Sequence, residues 1–199
     1  MPRPPQFSAQ AILDATAEIA ATVGPSATTI GSIAARLGAP TGSIYHRFVS
    51  RDALFAELWL QVVEAFQAGF VAELNGPDAR VAGLHAALYT PQWVRAHPVP
   101  ARLLLLHHRD DFVGGDWPPE VAERAACAGD QMSQAIRAFA RRALGSAGAA
   151  AVRRARFALI DIPGAAVMPH LRAAEPPPAV LDELVREAYL AIVGDEQGR

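Results

Sequence analysis

The 199-residue chain predicts an all-α protein, and three observations predict it. Apolar residues recur at helical spacing along nearly the whole length, strand-like alternation is missing, and Ser, Thr, Gly and Pro punctuate the periodic stretches where helices start and stop. With 51% apolar residues the chain can bury a sizeable core. The expected organisation is a three-helix unit over residues 1–50 and a larger helical domain over residues 51–199, joined through a long helix rather than a flexible linker.

Residues 1–7, with Pro2, Arg3, Pro4 and Pro5, read as a flexible arm. Ser8 caps a first helix whose inward set is Ile12, Thr16, Ile19, Ala20 and Val23, stopped by Gly24-Pro25. Thr28 or Thr29 caps a short second helix with Ile30, Ile33, Ala34 and Leu37 on one face. Gly38 supplies the left-handed residue that ends it, and Pro40 suits the opening of the next helix, so the turn is only about three residues long. In that third helix Thr41, Ile44, Tyr45 and Phe48 lie on or beside an anchoring face, while Ser43, His46 and Arg47 form a polar, free one. Hydrogen-bonding side chains on the second helix of such a helix-turn-helix suit the reading of base edges in a major groove, and Gly42 permits close backbone approach. An ordinary αα-corner with a solvated face is the alternative.

Ser50 caps a long helix in which Leu54, Phe55, Leu58, Val62, Phe66, Gly69 and Phe70 mark the buried side, and Asn75-Gly76-Pro77 ends it. Beyond it Val81, Leu84, His85 and Leu88 form one helical face; Thr90-Pro91 is expected to break and restart that helix, and His97-Pro98 to break it again. Residues Arg102 to His108 are apolar nearly all round, as in a central helix, and Asp110 to Pro119 read as a loop. A helix from about Pro118 to Leu144 buries Val121, Ala125, Ala128, Met132, Ile136, Phe139 and Ala143, with Arg137, Arg141 and Arg142 placed where its own dipole favours positive charge. Two final helices, about Ser146 to Asp161 and Ala179 to Val193, flank a connector with Pro163-Gly164 and Pro176 to Pro178.

Composition narrows the function classes. A net charge of −2 argues against indiscriminate coating of nucleic acid, yet residues 1–51 carry four Arg against two acids, a small N-terminal basic footprint. The single cysteine, Cys127, rules out an internal disulfide or a thiolate metal cluster. No run approaches a membrane span and MPRPPQF lacks a secretory signal, so a cytoplasmic protein is expected. His107, His108, Asp110 and Asp111 invite an alternative reading as a helical-bundle enzyme or metal-binding protein, but adjacent histidines on a helix diverge by about 100°. No nucleophile elbow, phosphate loop or dinucleotide fingerprint occurs, and neither enzymatic activity nor a cofactor or metal is expected.

The order of helix one followed by GPSATTIGSIAARLGAPTGSIYHRFVSRDALF resembles the N-terminal domain of the tetracycline-repressor (TetR) family of one-component bacterial regulators, from about Ser8 to Leu58. The marks are the TTxxxIAxxLG run, the GSIYHxF recognition helix and the Ser-Arg-Asp-Ala-Leu-Phe entry into the next helix; Pro40 and Thr41 stand where many members have Ser and Lys. The resemblance implies a transcriptional regulator, by family default a repressor, with double-stranded operator DNA and a small-molecule effector as partners. Contacts to DNA are expected from Thr41, Gly42, Ser43, Tyr45, His46 and Arg47, with Thr29 and Arg51 at phosphates. The effector is expected among Phe66, Phe70, His85, Tyr89, Trp93, His107, Met132 and Phe139, with His85 the foremost polar candidate. One short recognition helix reads too few base pairs alone, so a two-fold homodimer on an inverted repeat is expected. Its interface is a four-helix bundle made by one stripe of Val152, Ala155, Leu159 and Ile162 and another of Leu181, Leu184, Val185, Ala188 and Ile192.

Overall fold

Local capping sets where each N-terminal helix begins. The computed structural model describes residues 7–113 and 117–194, so the arm with Arg3 and the Gly114 to Asp116 part of the expected loop lie outside the described residues. The first helix, α1 (Ala9–Val23), starts at Ser8, whose hydroxyl accepts the Ala11 N–H at 3.1 Å. Thr29, not Thr28, caps α2 (Ile30–Leu37) in a reciprocal box with Ser32, and the Thr28 hydroxyl instead donates back to the Gly24 carbonyl. Gly38 closes α2 at φ +62°, and Pro40 precedes a third helix, α3 (Thr41–Tyr45), of only five residues. Ile12, Ile33 and Ile44 are wholly buried and meet Phe48, Leu54 and Phe55 in one core. Val23 was expected inside but is exposed, because it is the last residue of α1 beside the Gly24 turn.

Arg51 locks this unit. Its Nε and Nη2 donate to the carbonyls of Thr28 (3.3 Å) and Pro25 (2.6 Å), and its guanidinium lies 4.1 Å from the centre of the Phe55 ring. The charge thereby fixes the turn between α1 and α2 to the base of α4 (Arg51–Leu74), which Ser50 caps and Asn75 ends. By length and composition α4 is apolar enough to cross a bilayer, yet it packs on α5 (Ala79–Ala96) and α8 (Pro119–Leu144) as a core helix, with Leu54, Phe55, Leu60 and Phe70 fully buried. The foot of α5 is capped by Asp78, whose carboxylate accepts the N–H groups of Arg80 and Val81 and is held below the usual carboxylate range by them.

Four expectations fail here for identifiable reasons. Pro91 does not break α5: Thr90, Pro91 and Trp93 are all buried, and packing on α4, α10 and α11 carries the helix across one missing hydrogen bond. The next helix, α6, is Pro98–Leu106 rather than Arg102 to His108, because Pro98 takes its first position and His107 is already extended. Inside the expected loop Asp111 accepts the His108 N–H at 2.7 Å and closes a single turn, α7 (Arg109–Phe112). Likewise Pro163-Gly164 is no connector: α9 (Ala149–Arg156) continues through a π-helical turn at Phe157–Asp161 into α10 (Ile162–Ala173), where Pro163 occupies the opening turn. The last helix is α11 (Val180–Val193). Among the described residues there is no strand.

The upper layers close on small residues and on arginines that cap other helices. At Gly83 a Cβ would come within 2.2 Å of the Tyr189 hydroxyl and 2.3 Å of Phe139, so only glycine lets α5 lie against α8 and α11. Tyr189 donates its hydroxyl to the Arg80 carbonyl at 2.8 Å, and burial pushes its phenol far above the ordinary value. Arg142 serves not the end of its own helix but that of α4, donating to the carbonyls of Leu74, Gly76 and Pro77. Arg102 joins α1 to α10, with Nε to the Ala21 carbonyl at 2.9 Å and Nη1 to the Leu171 carbonyl at 2.7 Å.

Arg51→Met removes two hydrogen bonds from a charged donor and a cation–π contact, so a loss of about 2 kcal/mol is expected. Thermal unfolding should fall by roughly 4–8 °C, whereas Arg47→Ala, on the exposed face, should leave it within about 2 °C.

Candidate nucleic-acid interface

The short α3 is held from beneath by Ile44 and from its far end by Phe48, both buried, so its remaining side chains have no place in the core. Thr41, Gly42, Tyr45, His46 and Arg47 are exposed and Ser43 half-buried, which puts six of the eight sequence-derived contact residues on one outer surface. Tyr45 was expected partly on the anchoring face, but at 52% exposure it stands outward with His46 and Arg47. Nothing lies within 4 Å of where a Cβ at Gly42 would sit, leaving an open approach to the helix backbone. His46 and Arg47 continue the turn beyond the α-helix, through N–H bonds to the carbonyls of Gly42 and Ile44.

The two expected phosphate contacts divide differently. Thr29 is exposed, with its hydroxyl engaged in the α2 cap. The Arg51 guanidinium donates Nε and Nη2 inward to Thr28 and Pro25, beside the backbone start of α4. Arg36, exposed on α2, is paired with Glu18 of α1. Sequence reasoning passed over Val49, which at 89% exposure is an unsupported apolar side chain just past Arg47; an apolar residue outside the 3.6 period in a Phe-Val-Ser turn was the signal available.

Of the effector candidates, the structure brings Phe66, Phe70, Tyr89 and Trp93 together between α4 and α5. Ring centroids lie 6.0 Å (Phe66 to Phe70), 5.5 Å (Phe66 to Tyr89) and 5.1 Å (Phe66 to Trp93) apart. Met132 and Phe139 of α8 join the adjoining core. The Tyr89 hydroxyl lies against α4 at Gly69, where a Cβ would approach it to 2.0 Å, and its pKa is raised first by burial and then by Glu73. His85 does not enter this cluster: its side chain is 57% exposed and 3.7 Å from Glu73, with Val81 exposed beside it. The buried face of α5 combines Leu88 of the expected stripe with Ala82, Gly83, Ala86 and Ala87, small residues that let neighbouring helices close in. His107 stands apart, at the α1–α6 junction against Phe112, and burial lowers its pKa.

The alternative cluster does not converge. His107 Nδ1 is 3.9 Å from Asp111, whose carboxylate is engaged with the His108 N–H, while His108 and Asp110 are exposed. Among the described residues no three His, Cys, Asp or Glu side chains gather as a metal site would require.

The sequence-derived dimer stripes also divide. Ala155, Leu159 and Val185 belong to the chain's own core, so a partner cannot reach them; Val152, Ile162, Leu181, Ala188 and Ile192 are half-buried, and Leu184 is 52% exposed. Phe157, Val180 and Leu190 are exposed as well, so among the described residues four of the eight exposed large apolar side chains lie on the last two helical rods. The packing of α9 on α8, and of the π-helical turn on α5 and α11, turns Ala155 and Leu159 inward and leaves Phe157 outside.

Comparisons with known proteins agree with this geometry. Residues 12–58 match the profile of the bacterial regulatory proteins of the tetR family. Across nearly its full length the chain superposes on a TetR-like transcriptional regulator from Rhodococcus sp. RHA1 (17% identity, 98% of this chain and 100% of that one, TM-score 0.70). It does so on FadR from Bacillus subtilis, solved in complex with stearoyl-CoA (16%, 94% and 100%, 0.70), and on a TetR family transcription regulator from Marinobacter aquaeolei VT8 (17%, 92% and 94%, 0.67). No curated protein matches the chain. At these identities the superpositions establish the fold. Residues 12–58 are thus the N-terminal helix-turn-helix domain of the tetR family, carried on the all-helical fold of TetR-family transcription regulators.

Proposed function

We propose that the chain is a ligand-responsive transcriptional regulator, acting as a repressor, in which residues 1–50 read operator DNA and residues 51–199 dimerise and receive a small apolar effector. The observation that carries this reading is the outward face of α3: Thr41, Tyr45, His46 and Arg47 stand free on a helix whose other face is fixed by Ile44 and Phe48. A hydroxyl, a phenol, an imidazole and a guanidinium are groups that hydrogen-bond base edges and phosphates. Such a protein works beside the chromosome, in the cytoplasm. The aromatic cluster around Phe66 supplies an apolar pocket wall, and Tyr89 beside Gly69 is the group an incoming ligand would move. That FadR was solved with stearoyl-CoA, a ligand with an apolar chain, supports an effector of largely apolar body.

Selection from a random duplex pool at low salt should return an inverted repeat whose half-sites are centred about 10 base pairs, or a multiple of that, apart. On that duplex Tyr45→Ala with Arg47→Ala should weaken binding at least about 100-fold, at roughly 1–3 kcal/mol for each lost contact. Unchanged affinity of the double variant, or no duplex selected, would remove α3 from the role.

Dimerisation is assigned to the exposed apolar side of the last two rods, around Phe157 and Leu184. Sedimentation at micromolar concentration should show a dimer for the natural chain and a monomer for Phe157→Glu with Leu184→Glu, since charges at the centre of an apolar interface cost several kcal/mol. A dimer that survives both charges would place the interface elsewhere.

A further inference from the structure

We infer that the cleft where α5, α6 and the connector after α10 meet is a second small-molecule site, one that takes a carboxylate carried on a compact apolar body. It lies on the side of α5 away from the Phe66 cluster, as a cavity of about 210 Å³ walled by Val94, Pro98 and Leu171 and by Pro176 and Pro177 of the connector. Arg95 and Arg102 are the two basic residues of its lining, and Glu175 the one acid.

Neither arginine is fully used by the protein. Arg95 reaches Asp182 of α11 through Nη2 at 2.6 Å, and the other two atoms of this ion pair are buried unpaired: Nη1 has no acceptor and the second oxygen of Asp182 has no donor. A buried donor left unmade is costly, and one on a charged group more so. Arg102 gives Nε and Nη1 to two carbonyls, Ala21 and Leu171, which supply hydrogen bonds but no negative charge. Three of its five N–H donors remain after those bonds. The acid in the wall, Glu175, is on the exposed connector, where it can turn to solvent.

The chemistry of the occupant follows from size and charge. A planar fork of N–H donors matches a carboxylate in two parallel bonds, and the prolines, Val94 and Leu171 suit an apolar ring or short chain behind it. The cavity has room for a group of benzoate size and not for a long acyl chain. Because Arg102 also holds the last turn of α1, the occupant's carboxylate would lie one side chain from the DNA-reading unit.

Calorimetry on the full chain tests this with sodium benzoate and with benzamide, its neutral isostere. Benzoate should bind with at least about 10-fold higher affinity than benzamide, as a charge-assisted pair to an arginine requires. Arg95→Met should weaken benzoate about 10- to 100-fold; since it strands Asp182, the paired Arg95→Met, Asp182→Leu variant, which removes both charges, should show the same loss in a protein that keeps its fold. Equal binding of benzoate and benzamide by the unaltered chain, full retention of benzoate affinity in the paired variant, or no heat with benzoate up to about 10 mM would each overturn the site.

Discussion

Everything in this molecule is hung on α4, one unbroken helix whose two ends are held by side chains of other elements. At its start Arg51 ties it to the turn between α1 and α2, and at its end Arg142 of α8 caps its last carbonyls. Midway, Arg124 of α8 forms bidentate pairs with both Glu57 and Glu64, which raise its pKa further. Those exposed pairs contribute at most about 1 kcal/mol each, so they set register rather than stability. Stability lies in the apolar face, where Leu54, Phe55, Leu58, Leu60, Val62 and Phe70 are buried from one end of the helix to the other. A helix so embedded links the packing of the upper domain to the core beneath α3, where Leu54 and Phe55 share one cluster with Ile44 and Phe48.

The continuity of the core makes the same point. One cluster runs from Ile12 and Ile44 of the N-terminal unit to Leu103 of α6 and Leu171 of α10 without a gap, so the packing does not divide at residue 50. Arg102 repeats the connection in polar form. Its two carbonyl partners end α1 and α10, and a group that drew the guanidinium away would loosen both together.

How much of this was legible in the sequence depended on whether the signal was local. Ser8, Thr29, Gly38 and Ser50 mark helix ends because capping involves three or four neighbouring residues, and each does what its position implied. Signals that tertiary packing overrides were misleading: Pro91 and Pro163 look like breaks, yet buried neighbours carry the helix through. Size misled on α5, where Val81 and His85 face outward and the alanines inward, because close helix contact selects small residues there. Arg51 showed the same limit at the candidate interface. Its place at a helix start suggested a free charge, while its actual partners are carbonyls more than twenty positions earlier in the chain, beyond any periodicity argument.

Helix α4 joins the outward face of α3 to the upper domain as one mechanical unit, over a length of about 36 Å. Amide hydrogen exchange along α4, with and without a selected operator duplex, measures it directly. The account predicts slower exchange on DNA binding through the far half of the helix, from Val63 to Leu74, as well as near Arg51. Protection that stops short of Leu58, with the far half exchanging as in the free protein, would contradict it.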